Sequence, residues 1–116
     1  GDFPFSSSLQ AGEYIFVSGK IGVNPETREI QRGDIRAQTE QTLENLEKEL
    51  QSYGLDLSSV VKTTVFLTDM RNFEAMNAVY REKFTSRLPA RSCVSVSALP
   101  HIDALVEIGL IVYVEE

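Results

Sequence analysis

The segment that most restricts the fold is Leu105–Val114, apolar at every position except Glu107 and Gly109. A run that is apolar on both of its alternating sets reads as a strand buried on both faces. It is far too short to cross a bilayer, which takes about 20 residues. Such a strand needs neighbours on its edges and a cover on each face, and the rest of the chain must supply them.

Two further segments read as strands. Glu13–Gly19 (EYIFVSG) is rich in β-formers and stops at Gly, and Val60–Thr68 (VVKTTVFLT) is β-branched and aromatic. Ser92–Leu99 alternates, with Val94, Val96 and Ala98 on one face and Cys93, Ser95 and Ser97 on the other. That spacing predicts a strand whose valine face meets the core. Ile21–Arg32 contains Asn24-Pro25 and is followed by Gly33, so it reads as a hairpin-like excursion.

Two segments are helical. Over Asp34–Tyr53, residues Ile35, Thr39, Thr42, Leu43, Leu46, Leu50 and Tyr53 recur at three- and four-residue steps and stack on one face. Asp34 suits the N-cap and Gly54 the left-handed C′ position. Glu40, Glu44, Glu47, Lys48 and Gln51 form the opposite, wet face. Asn72–Phe84 carries Phe73, Met76, Tyr80 and Phe84 on one stripe. Two amphipathic helices cover only one face of a sheet. The other face, apolar in the last strand, needs a cover too, and another copy of the chain is the simplest one. A homo-oligomer is therefore expected.

At 116 residues and 42% hydrophobic content, residues 1–116 are expected to form one domain, with no repeat or linker. Eleven basic against 17 acidic residues give a net charge of −6. With no run of Lys or Arg, nucleic acid is not an expected partner, because its phosphates are repelled. The single cysteine excludes an intrachain disulfide, and one cysteine with one histidine gives no zinc-site spacing. The start of the sequence shows no secretory pattern. That and the lone thiol point to a cytoplasmic protein without a membrane partner.

Several residues break the structural pattern. Glu107 sits inside an apolar strand, where a carboxylate is costly unless paired or protonated. It is either a strand-edge Glu reaching water or a site carboxylate with a tuned pKa. Arg91, in Leu88-Pro89-Ala90-Arg91-Ser92-Cys93, shares a side of its strand with Cys93. Its fork fits a ligand carboxylate, and a salt bridge to Glu107 or another acid is an equal alternative. Cys93 lacks a nearby activating histidine, the sole candidate being His101 after Pro100, so a small packing residue is the better reading. Asn77 interrupts the second helix's apolar stripe and serves either a structural hydrogen bond or a site. Ser18-Gly19 closes the first strand, where Gly lets a ligand approach the backbone.

Taken together, the segments resemble the RidA (YjgF-type) family. The resemblance rests on Ala11-Gly12, Ile15-Phe16-Val17-Ser18-Gly19-Lys20-Ile21, Gln38–Leu46, Val60–Met70, Pro89-Ala90-Arg91-Ser92-Cys93-Val94, Leu99-Pro100 and Val106-Glu107-Ile108, in the family's order and spacing. It implies an α+β, chorismate-mutase-like fold: a mixed β-sheet with two helices on one face, assembled as a homotrimer with inter-subunit clefts. It also implies hydrolytic deamination of reactive 2-imino acids (2-iminobutanoate, 2-iminopropanoate) to 2-keto acids and ammonia, sparing pyridoxal-phosphate enzymes. No metal or organic cofactor is implied. By position, Arg91 matches the arginine that grips the substrate carboxylate and Glu107 the carboxylate that positions a water. Cys93 matches a residue whose backbone contacts the ligand, and Ser18, Gly19 and Asn77 match cleft-lining positions. The family's common Gly-Pro-Tyr-Ser reads Phe3-Pro4-Phe5-Ser6 here, so Phe5 stands where a tyrosine hydroxyl is expected. Gly109 stands where many relatives carry a second acid. The loss of that hydroxyl leaves open an alternative, a non-catalytic module that binds small 2-keto acids. A ribonuclease role is opposed by the acidic charge.

Overall fold

The computed structural model describes residues 3–115. The chain forms five strands, β1 (Ser8–Ala11), β2 (Tyr14–Lys20), β3 (Val60–Leu67), β4 (Ala90–Ser95) and β5 (Val106–Tyr113), and two helices, α1 (Ile35–Gln51) and α2 (Phe73–Lys83); the order from β2 onward is the expected one, and β1 is an additional strand. The strands form one sheet in the order β1-β2-β5-β3-β4. All pairs are antiparallel except β3 with β4. A parallel pair cannot be closed by a tight turn, and α2 is the crossover that returns the chain.

Register decides which side chains are buried. Ile15 and Val17 of β2, Thr63, Val65 and Leu67 of β3, and Val106, Ile108, Leu110 and Val112 of β5 all face the helices and are buried. Against them α1 places Ile35, Thr39, Leu43, Leu46 and Leu50, and α2 places Met76, Val79 and Tyr80. The caps follow the sequence: the Asp34 carboxylate accepts from Arg36 N at 3.0 Å and Ala37 N at 3.3 Å. Gly54 takes φ +73° after α1, and Leu55 N donates to Leu50 O at 3.0 Å. The excursion after β2 is hairpin-like, with one bridge between Val23 and Ile30.

Three expectations are corrected. The fourth strand ends at Ser95 rather than Leu99, because its partner β3 ends at Leu67. Its faces are also inverted. Pairing of Arg91 with Thr63 and Cys93 with Val65 turns Arg91 and Cys93 toward the helices, while Val94 is exposed. Hydropathy suggested the reverse, but a parallel register inherits its sides from the buried neighbour. Finally, β5 is buried on one face only: Glu107, Gly109, Ile111 and Tyr113 alternate with the core residues and stay half-covered. With both helices on one side, the other side of the sheet is bare. Leu9, Tyr14, Phe16 and Val94 stand exposed on it, Phe16 at 46% and Val94 at 46%. Among the described residues, no helix is long and apolar enough to cross a membrane.

Candidate functional site

Arg91 lies on the helix side of the edge strand β4, against α2. Phe73, Asn77 and Tyr80 are spaced i, i+4, i+7 and so share one face of that helix. The guanidinium carbon sits 4.9 Å from the centroid of the Tyr80 ring and 5.6 Å from that of Phe73. Its Nη1 donates to Asn77 Oδ1 at 2.7 Å. Among the described residues, no ion pair joins Arg91 to a carboxylate. The cation is thus held by two aromatic faces and an amide, all neutral. It borders a cavity of about 230 Å³ lined also by Asn77, Tyr80, Leu88 and Pro89.

Cys93 follows on the same side of β4 and packs against the core. Burial pushes its thiol above the ordinary value, with Arg91 opposing in part. A thiol so raised is a poor nucleophile at neutral pH, in keeping with a packing role.

Glu107 lies on the other face of the sheet. It pairs in register with Phe66, whose side chain also points away from the helices. A register shift in β2 between Val17 and Lys20 brings Gly19 against it. A Cβ built on Gly19 would lie 2.8 Å from the Glu107 carboxyl carbon, so only glycine leaves that carboxylate its place. Burial pushes the Glu107 carboxyl above the ordinary range. The cleft it borders, about 930 Å³, is lined also by Phe3, Phe5, Gly19, Ile21 and Pro100. At Gly109 a Cβ would rest in ordinary contact with Val17 O at 3.4 Å and Gly19 Cα at 3.7 Å, so this position tolerates a side-chain carbon without a shift.

Phe5 is placed by a tether. Ser18 Oγ donates to Ser6 O at 2.6 Å and Ser18 N to Ser7 O at 3.0 Å. The hydroxyl of Ser18 is therefore engaged in holding the segment that carries Phe5. Glu49 of α1 accepts from Ser7 Oγ at 2.8 Å and from Ser8 Oγ at 2.5 Å, and pairs with Lys20 at 3.7 Å. Phe3 and Phe5 lie together at the cleft mouth, 5.4 Å between ring centroids.

The expected residues therefore fall into two groups. Arg91, Asn77 and Cys93 meet on the helix side; Phe5, Gly19 and Glu107 share the larger cleft, which α1 also borders through Asn45, Lys48, Glu49 and Ser52. No Arg91–Glu107 salt bridge forms within the chain, because β4 and β5 aim those side chains to opposite faces. No local signal announces that Phe73 and Tyr80 touch Arg91. Their spacing with Asn77 was visible, but the side of β4 that Arg91 takes was not. Glu49 escaped notice as one more acid on a charged helix, since nothing local marks a bond to residues 41 and 42 positions away.

The family model described as Endoribonuclease L-PSP matches residues 2–114 of this chain. A RutC family protein of Pyrococcus horikoshii is 46% identical over 112 residues, covering 97% of this chain and 88% of its own. A 2-iminobutanoate/2-iminopropanoate deaminase of Dermatophagoides farinae is 39% identical over 112 residues, covering 97% of this chain and 87% of its own. The crystal structure of E. coli TdcF with bound serine matches with a TM-score of 0.90 at 34% identity, over 99% of this chain and 91% of that one.

Proposed function

The chain belongs to the RidA/YjgF/RutC (L-PSP) family, and from that premise we propose that it hydrolyses 2-imino acids such as 2-iminobutanoate and 2-iminopropanoate to the 2-keto acid and ammonia. The observation that carries this reading is the Arg91 guanidinium, half-buried beside a cavity and held only by neutral groups. A cation without an acidic partner keeps its full charge for a ligand carboxylate. A relative bearing the deaminase name supports the substrate class. Serine, held by TdcF, carries the same α-carboxylate.

The working form is a homotrimer. Arg91 and Glu107 face opposite sides of one sheet, so a site using both takes them from two chains. Packing of the bare faces against one another covers Leu9, Phe16 and Val94 and carries Glu107 of one copy to the β4 edge of the next. In that cleft Arg91 fixes the substrate by its carboxylate, and Asn77 steadies Arg91. A protonated imine is electrophilic at carbon, so water is a sufficient nucleophile. Glu107 accepts a proton from the attacking water, the C–O bond forms, and the C=N bond becomes a single bond. The same proton passes to the nitrogen; the C–N bond then breaks as the remaining hydroxyl gives its proton to Glu107 and closes to C=O, and ammonia leaves, carrying that proton away as ammonium with the 2-keto acid behind. Burial raises its pKa, which favours a carboxylate that must take a proton and return it.

The test is hydrolysis of imine supplied by a dehydratase. Arg91→Ala is expected to abolish turnover and binding of 2-oxobutanoate while leaving the assembly intact, and turnover at the level of the unaltered protein would refute the assignment. Saturable binding of 2-oxobutanoate without any turnover would favour the non-catalytic module instead.

A further inference from the structure

We propose that Tyr80 is a positioning residue for Arg91, with Phe73 as its helper, so that substrate affinity depends on two aromatic rings that act through the guanidinium. The inference rests on the reading of Arg91 as the carboxylate anchor. An arginine on an edge strand has a long arm with many rotamers, and binding a small anion must first freeze it. The usual device, a carboxylate partner, would fix the arm but neutralise it. Here the guanidinium is fixed without being neutralised.

The frame that does this is closed on itself. Arg91 and Thr63 are register partners across β4 and β3. The Thr63 hydroxyl bonds the Tyr80 hydroxyl at 2.8 Å. The Tyr80 ring then lies beneath the guanidinium of Arg91 at 4.9 Å, and Phe73 flanks it at 5.6 Å. Tyr80 is itself immobile: it is buried and its ring packs on Phe84 at 4.5 Å. Burial raises the phenol's pKa, so the hydroxyl bond to Thr63 is neutral throughout the working range. Asn77 Oδ1 takes one N–H of the fork, and the remaining donors are left for the ligand. Each part supplies something different. The rings hold the plane of the cation, the amide sets its rotation, and the hydroxyl pair fastens the ring to the sheet that carries Arg91.

The experiment compares Tyr80→Phe, Tyr80→Leu and Phe73→Leu by titration with 2-oxobutanoate, steady-state imine hydrolysis and thermal melting. Loss of a partly desolvated cation–π contact is expected to raise Kd and KM about tenfold in Tyr80→Leu, with kcat at saturation within about threefold. Tyr80→Phe keeps the ring and loses only the hydroxyl lock, so it should recover most of the affinity, within about threefold of the unaltered protein. Phe73 is only half-buried, and Phe73→Leu should fold even if Tyr80→Leu does not, raising KM by about threefold. A fall in melting temperature with Kd and KM unmoved would make these residues mere packing and overturn the proposal, as would equal affinity losses in Tyr80→Phe and Tyr80→Leu. Arg91→Ala separates the two ideas. If it abolishes binding while the aromatic variants bind normally, only the positioning role falls; if it binds normally, the anchor reading falls with it.

Discussion

The division of Arg91 and Glu107 between two faces of one sheet leads to a quantitative test. Arg91→Ala and Glu107→Gln are each expected to be inactive alone. In the trimer proposed above, the two variants, mixed by joint unfolding and refolding or made together, should assemble into trimers containing both chains. In a ring of three, each cleft takes its arginine from one subunit and its glutamate from the next in one rotational sense. Every mixed trimer then restores one cleft of its three: the one where an intact Arg91 meets an intact Glu107. With equal amounts and random assembly, about three-quarters of the trimers are mixed, so about one quarter of full turnover should return. The assay is imine hydrolysis in the mixture, with the two parents and the unaltered protein as references. The rescue should follow the mixing ratio, peak at equal amounts and vanish when either parent dominates. If the two groups instead served one cleft from the same chain, no mixture would gain activity. A flat response, with mixed trimers demonstrated by differently tagged subunits, refutes the placement argument.

Two further outcomes follow from particular contacts. Gly19→Ala puts a methyl against the far end of a flexible side chain, 2.8 Å from the Glu107 carboxyl carbon; stability should change by less than about 1 kcal/mol, while turnover falls about 100-fold because the carboxylate is displaced by about an ångström. Unchanged turnover in that variant would show that Glu107 is not held where the reaction needs it. Burial acts to raise the Glu49 pKa, but bonds from Ser8 and Ser7 and the charge of Lys20 outweigh it, leaving the carboxyl below its ordinary value. A depressed folded pKa stabilises above the unfolded value and is lost as pH falls through the folded one. The side chain is 22% exposed, so Glu49→Ala should cost about 2 kcal/mol at pH 7. Melting curves should show that gap closing once the pH drops below the folded pKa, and a gap independent of pH would mean the tether is not ionic.

The elements most open to a sequence reading were those whose signal is local. Asp34 and Gly54 mark the ends of α1, and the stripe from Ile35 to Leu50 marks its buried face; both are properties of a single helix. That two helices leave one face of the sheet bare was also legible, because it follows from counting helices against strands. What resisted reading depends on pairing. Nothing in Ser-Leu-Gln-Ala marks β1 as a strand, and only the edge of β2 makes it one. The face of Cys93 and Arg91 was settled by which residue of β3 each one meets, and a sequence carries no local record of that. Glu107 stood out for the opposite reason, since a charge in an apolar run is conspicuous whatever its partners. The task of the Ser18 hydroxyl, fastening Ser6, was not legible, because its partner is set by how β1 pairs with β2.

The parallel junction of β3 with β4 has a consequence for how this chain tolerates change in length. Alternation along a strand has a period of two, so a slip of one position along β3 would turn every residue of β4 over. Val94 would then enter the interior, a gain by hydropathy, and Arg91 would be expelled from between its rings. The favourable burial of one valine thus competes directly with the pose of the Arg91 cation. Loss or gain of a single residue between Phe84 and Pro89 is the change that would tip this balance. The connection ahead of β4 therefore acts as the frame-setter of the whole site, and an indel there is expected to yield a folded sheet without an anion grip.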